Sequence, residues 1–176
     1  SLKLLDLSSF DVSNVTSFSS IFSGSAAKSI DISGWNFASV TSTSGMFSGL
    51  TNLENIYLKN VNTSNITNMS GMFSGCSKLK SLDMSSFDVS NVTSFSLFGG
   101  NTALKSINMS GWKFDSVTSL SGFFNVGLTS LETINLTDVD TSNITDMSSM
   151  FNSTSSIKKL NLTIKRSCFF SFGRQR

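Results

Sequence analysis

Histidine and proline are absent from this chain, and charged residues make up only 14% of it. The first absence removes whole classes of chemistry. Without an imidazole there is no Ser-His-Asp or Cys-His relay and no His-ligated zinc. The two cysteines, Cys76 and Cys168, are too few for a disulfide framework or a metal motif. Cys76, in the small apolar context Phe73-Ser74-Gly75-Cys76, reads as a buried thiol. No run of about 18 apolar residues occurs, which argues against a membrane span. Ser, Asn and Thr fill most polar positions instead of charge. With 39% apolar residues and 16 Phe, the chain is no disordered polar tract.

Net charge is +2, unevenly spread. The segment 163–176 holds Lys165, Arg166, Arg174 and Arg176 and no acid, a charge of +4, which leaves −2 for the rest. A nucleic-acid-binding body is therefore not expected. The eleven acids recur mostly at equivalent positions of a repeat, whereas carboxylate catalysis needs an acid perturbed in a closed cleft. Phe98-Gly99-Gly100-Asn101 lacks the strand–turn–helix phosphate fingerprint and reads as a turn. Calcium on Asp6 and Asp31 would need more oxygen ligands than the sequence assigns. The expectation is a non-enzyme with no cofactor and no metal.

Internal periodicity decides the fold class. An apolar x-x-apolar-x-apolar signature recurs seven times, first as Leu2, Leu5 and Leu7 and last as Ile157, Leu160 and Leu162. Its centres, Leu5, Ile30, Ile56, Leu82, Ile107, Ile134 and Leu160, are separated by 25, 26, 26, 25, 27 and 26 residues. The second and third apolar positions are two apart, so both face inward from one short strand. Later in each unit the spacing changes. Ile66, Met69, Met72 and Phe73 mark one face of a short helix, as do Val15, Phe18, Ile21 and Phe22, with Ile144, Met147, Met150 and Phe151 in the last set. A Thr follows the Val or Ile in each complete unit (Thr16, Thr41, Thr67, Thr93, Thr118, Thr145) and suits a helix N-cap. The expected architecture is an α/β solenoid, leucine-rich-repeat-like, of about seven coils of 25–27 residues. A parallel sheet lies on one face and short helices on the other. The solenoid spans residues 1–162, and 163–176 form an atypical basic and aromatic tail.

A longer period overlies the first. Residues 8–18 and 85–95 are identical, Ser-Gly-Trp-x-Phe recurs at 33–37 and 110–114, and Thr-Ser-Asn-Ile-Thr recurs at 63–67 and 141–145. The offset of 77 or 78 residues makes a three-coil block present twice. Residues 1–7 match the middle of later units, so the array is expected to continue upstream as part of a longer protein.

These phrases resemble the BspA-like leucine-rich-repeat surface proteins, whose units read Phe-Asp-x-Ser-Asn-Val-Thr-x-Met-x-x-Met-Phe-x-x-Cys. Phe87 to Val92, Asn65 to Cys76 and Asn143 to Phe151 carry the resemblance, which covers residues 1–162. It implies a secreted or cell-surface protein of bacteria, mycoplasmas or some protists, often tied to adhesion. The departures are Trp35 and Trp112 in place of Phe, an irregular helix around Phe98, and the tail.

Between the two inward strand positions, the outward residue is Asp6, Asp31, Tyr57, Asp83, Asn108, Asn135 or Asn161. On a parallel sheet these stack roughly 4.8 Å apart as a polar ladder. The ladder is the candidate ligand-binding strip, because solenoids bind through extended sheet faces. A merely solvated face is the competing reading. Trp35 and Trp112 fill slots held elsewhere by Phe10, Val61, Phe87 and Val139, which points to the core. The Thr column gives weak support to ice binding. Asn-x-Ser/Thr triplets at Asn14, Asn62, Asn65, Asn68, Asn91, Asn108, Asn135, Asn143, Asn152 and Asn161 become glycan sites only in a secreting eukaryote. The function expected is extracellular adhesion or protein or glycan binding, without nucleic acid. The alternative is self-association into a fibre or surface layer. If the strand faces are assigned correctly, Leu82→Ala costs about 2–5 kcal/mol. Asp83→Ala, facing solvent, costs under about 0.5 kcal/mol. Equal losses in chemical denaturation would reverse the assignment.

Overall fold

A computed structural model describes residues 2–124, 127–152 and 154–164. Seven short strands follow one another at the coil period: β1 (Leu4–Asp6), β2 (Ser29–Asp31), β3 (Asn55–Tyr57), β4 (Ser81–Asp83), β5 (Ser106–Asn108), β6 (Thr133–Val139) and β7 (Lys159–Ile164). Every pairing is parallel and couples the centres in register, Leu5 to Ile30 to Ile56 and Leu82 to Ile107 to Ile134 to Leu160. The chain is a parallel β-solenoid. Both inward strand positions are closed off from solvent in the second, fourth, fifth and sixth coils, as at Ile30 and Ile32 and again at Leu82 and Met84, whereas Ile56 and Leu160 are half-buried and Leu162 in the seventh coil is exposed. Of the basic and aromatic tail expected at 163–176, Thr163 and Ile164 belong to β7, and the rest, Cys168 included, lies outside the described residues.

No helix occurs among the described residues, so the short helices expected at the Met-Phe segments are replaced by turns. The reason is where the backbone amides point. In an α-helix, each N–H reaches the carbonyl four residues back. Here Thr43, Gly45, Phe47 and Gly49 instead donate to carbonyls of Asn68, Ser70, Met72 and Ser74 in the next coil, at 2.7–3.0 Å. Only the alternate amides close local turns, as Met46 to Thr43 and Ser48 to Gly45. Gly45, Gly71 and Gly122 sit at positive φ inside these segments, a conformation that breaks a helix. The Thr column is not a set of N-caps either. Thr67, Thr93 and Thr145 donate through Oγ1 to the backbone carbonyl of the equivalent Thr one coil earlier, at 3.1–3.2 Å.

The core is one ribbon of aliphatic and aromatic side chains. Trp35 and Trp112 are 2% and 1% exposed, and each indole donates to a main-chain carbonyl of the previous coil (Leu7 at 2.8 Å, Met84 at 2.9 Å). They are core residues whose polar atom is satisfied. Phe rings stack between coils, Phe22 on Phe47 on Phe73 at 5.1 and 5.5 Å, and Phe98 on Phe124 on Phe151 at 6.2 and 5.5 Å. Cys76 is fully buried and its thiol donates to the Phe47 carbonyl. Burial pushes its pKa up to about 11, against a smaller opposing effect of the Leu50 backbone, so it stays a protonated, inert thiol.

The stack has a seam between the third and fourth coils. The strands divide into a three-stranded sheet, β1-β2-β3, and a four-stranded sheet, β4-β5-β6-β7. The two Phe stacks end on either side of the same junction, at Phe73 and Phe98. Across the seam the coils stay joined elsewhere, by the Asn68–Ser94 bridge and the Thr93 amide on the Thr67 carbonyl. The fourth coil is one residue short: Phe95-Ser96-Leu97-Phe98 has no counterpart of Gly71 in Met69-Ser70-Gly71-Met72-Phe73. A tight turn from Leu97 to the Phe95 carbonyl takes up the difference. This is the structural form of the irregularity seen around Phe98 in the sequence.

Coil-to-coil contact is closest at a column of glycines. Gly49, Gly75, Gly100 and Gly127 all adopt φ between +71° and +77°. A Cβ on Gly127 would lie 2.7 Å from the Gly100 nitrogen, whereas a Cβ on Gly24, also at positive φ, meets nothing within 4 Å. Gly24→Ala therefore carries only the left-handed backbone cost, about 1 kcal/mol. Gly127→Ala adds a main-chain clash and is expected to cost on the order of 3 kcal/mol or more. Matching midpoints for the two variants in urea would show that the coils do not approach as closely as the stack requires.

Candidate ligand-binding face

The ladder residues line one face as the sequence implies, but they are not idle on it. Asp6 Oδ1 accepts the Ser8 amide at 3.0 Å and its hydroxyl at 2.7 Å. Asp31 accepts the Ser33 amide at 2.8 Å. Asp83 accepts the Ser85 amide and hydroxyl at 3.0 and 2.7 Å. Asn108 and Asn135 accept the amides of Ser110 and Thr137, both at 3.2 Å. Asp6, Asp31, Asp83 and Asn108 each make an Asx turn at the last residue of their strand, since the side chain supplies the acceptor that a longer ladder would have used, whereas Asn135 makes the same bond inside the longer β6. Tyr57 has no such acceptor, and the turn after β3 passes instead through Asn60 at φ 59°.

The ladder also bonds along its own length. Asn135 Nδ2 donates to Asn108 Oδ1 at 3.0 Å, and Asn108 Nδ2 donates to Asp83 Oδ1 at 3.1 Å. Asn161 pairs with Asn135 in register on β7. On the other side of the seam Asp6, Asp31 and Tyr57 are neighbours in register. Tyr57 and Asp83, expected side by side at the centre of one continuous ladder, are not strand-paired. The seam runs between them, and two shorter strips replace the single strip. Tyr57 is 50% exposed, the one aromatic among the seven ladder residues.

Electrostatics follow from these bonds. Partial burial raises the Asp83 carboxyl, but hydrogen bonds from Ser85 and Asn108 outweigh it and hold it below the usual carboxylate range. Asp6 is lowered by the Ser8 hydroxyl and amide. Beside the ladder, two residues before each strand centre, stands a charged column tied by Lys28–Glu54 at 3.1 Å, Lys105–Glu132 at 3.8 Å and Lys158–Glu132 at 3.0 Å. A reading confined to the Asp, Asn and Tyr positions passes over it, although it recurs at the same coil period. Among the described residues no three Cys, Asp or Glu side chains gather where a metal ion could be held. No helix among them is long and apolar enough to cross a membrane.

Many of the Asn-x-Ser/Thr asparagines serve the stack. The side-chain amides of Asn65, Asn91 and Asn143 donate to the carbonyls of Ala38, Ser64 and Asp115 one coil earlier, and Asn62 donates to Asn36 at 2.8 Å. With Asn108 and Asn135, six of the ten triplet asparagines use Nδ2 as an inter-coil strut.

Fold and face together define a repeat protein of the parallel β-solenoid class. A family model described as "Mycoplasma protein of unknown function, DUF285" matches residues 4–57 and 53–164, and the chain belongs to that DUF285 family. No curated protein and no solved structure matches it.

The three hydrogen bonds on Asp83 revise the expected cost of its removal. Asp83→Ala is expected to cost about 1 kcal/mol at neutral pH rather than a negligible amount. A depressed folded pKa stabilises above the unfolded value, and that contribution fades as pH falls from about 5 toward 2. Asp83→Asn keeps an acceptor oxygen without titrating. The gap between wild type and Asp83→Asn in urea should therefore change over that acid window and stay flat between about pH 6 and 8, because only there is the carboxylate ionised in both folded and unfolded chains. A flat gap throughout would mean that the carboxylate is not held by these bonds.

Proposed function

We propose that the chain is a non-enzymatic extracellular or cell-surface module that binds a protein or glycan through its strand face. The observation that carries this reading is the fixed ladder. Asx turns and inter-coil bonds lock its side chains before any partner arrives, so ordering them on binding costs little. Tyr57 stands half exposed beside Asp31, and Tyr is enriched among energetic anchors at interfaces. The likeness of the repeat phrases to BspA-like surface proteins supports both the location and the adhesive role. Leucine-rich-repeat kinship belongs to the same reading.

End-to-end assembly into a fibre or layer is the second reading. It draws on the first coil, where Leu2, Leu4, Phe10 and Ile21 are 47–60% exposed, a surface that suits stacking against a further coil.

Screening purified protein on a glycan and matrix-protein array, then titrating the best partner, tests the first reading. Asp31→Ala combined with Tyr57→Ala should weaken binding at least about tenfold, or about 1.4 kcal/mol. Unchanged affinity would remove the ladder from the interface, and filaments instead of discrete particles in the purified protein would favour assembly.

A further inference from the structure

Charge on this solenoid is sorted by face. The column two residues before each strand centre carries Lys3, Lys28, Lys80, Lys105 and Lys158, interrupted by Glu54 and Glu132. Lys78 and Lys159 flank it: Lys78 reaches back to Asn52 at 3.0 Å, and Lys159 opens β7. Seven of the nine lysines among the described residues thus share one edge with two acids, a net +5. The other described residues hold two lysines against nine acids, a net −7. The whole-chain charge of +2 hides this segregation.

The stripe is long and accessible. Six coil steps of about 4.8 Å carry it on the order of 29 Å. The side chains of Lys28, Lys105 and Lys158 are 51%, 64% and 73% exposed. Ion pairs this exposed contribute little stability, about 0–1 kcal/mol, so folding alone does not account for the column. One glutamate in every third coil relieves repulsion between lysines stacked at strand spacing while leaving the stripe strongly positive. It continues across the seam, where Lys78 and Lys80 both act on the Glu54 carboxylate. Alongside runs a neutral column of hydroxyls and one amide, Ser29, Asn55, Ser81, Ser106 and Thr133.

We propose that this lysine stripe seats a linear acidic polysaccharide, whose carboxylate or sulfate groups meet the lysines while its hydroxyls bond the Ser, Asn and Thr column beside them. The inference rests on the strand face being the binding surface and names the class of ligand it takes. Charge complementarity along a rigid row selects a polymer with anions at regular intervals. Nucleic acid fits less well. No arginine lies among the described residues, and the stripe holds no aromatic platform on which bases could stack.

Titration of the purified protein with heparin, polygalacturonate, neutral dextran and double-stranded DNA tests the assignment. Heparin and polygalacturonate should bind, with affinity falling as salt screens the stripe, and dextran should not bind. Lys80→Glu with Lys105→Glu should weaken polysaccharide binding at least about tenfold. Lys59→Glu with Lys113→Glu makes the same change in net charge off the stripe and should leave affinity within about twofold. Lys80→Gln with Lys105→Gln, which adds no acid, should weaken binding in the same direction if charge reversal disturbs the stack. Equal weakening by the on-stripe and off-stripe pairs, or tighter binding of DNA than of either polysaccharide, would overturn the proposal. An array partner that is lost with Asp31→Ala and Tyr57→Ala while no acidic polysaccharide binds would sink this ligand class and leave the strand-face reading standing.

Discussion

Every other feature of the molecule depends on one constraint: backbone amides in each coil direct their hydrogen bonds to a neighbouring coil. Strands do so by definition, but here the turns do it as well, through Thr43, Gly45, Phe47 and Gly49 in one coil. Buried amides must find acceptors, so the spacing of about 4.8 Å between coils is imposed around the circuit and not only along the sheet. That spacing explains why glycine stands wherever backbone meets backbone, as at Gly100 and Gly127. It also explains why Phe rings stack nearly parallel at 5.1–6.2 Å. The same constraint turns each surface position into a column, which is what gives a chain so poor in charge a patterned exterior.

The polar columns do two jobs at once. Asp31, Asp83 and Asn108 close the turns that follow the strand face, and they also form the presented surface. Asn65, Asn91 and Asn143 likewise hold adjacent coils together with the side-chain nitrogen that a glycan would occupy. A repeat built this way exposes ordered acceptors and hydroxyls whose side-chain entropy is already lost on folding. The lysine column adds a strong positive feature, and its placement on the edge of the sheet face keeps it clear of the acids that cap the turns.

The seam between the third and fourth coils divides the face as well as the sheet. One missing residue near Phe98 shortens a turn, and both the strand ladder and the Phe stack part at that junction while the bridge from Asn68 to Ser94 holds. The face is thereby divided into an Asp6–Asp31–Tyr57 strip and an Asp83–Asn108–Asn135–Asn161 strip, while amides of Met69, Gly71, Phe73 and Gly75 donate to fourth-coil carbonyls and keep the two parts stacked.

By itself, the sequence determined the coil period, the seven strand centres, the inward pair on each strand and the burial of Trp35, Trp112 and Cys76. These are legible because side-chain alternation and a 25–27-residue recurrence are local properties of the chain. Tertiary structure alone decided the rest. Spacings of three and four among Ile66, Met69, Met72 and Phe73 fit a helical face, but a periodicity cannot say which carbonyl an amide will reach, and the neighbouring coil supplied it first. The Asx turns and the seam between Tyr57 and Asp83 take their form from the stacked coils, and the ion pairs that tie the lysine column, itself written in the sequence at the coil period, form only there. Their energies come from stacking, and stacking exists only in the folded array.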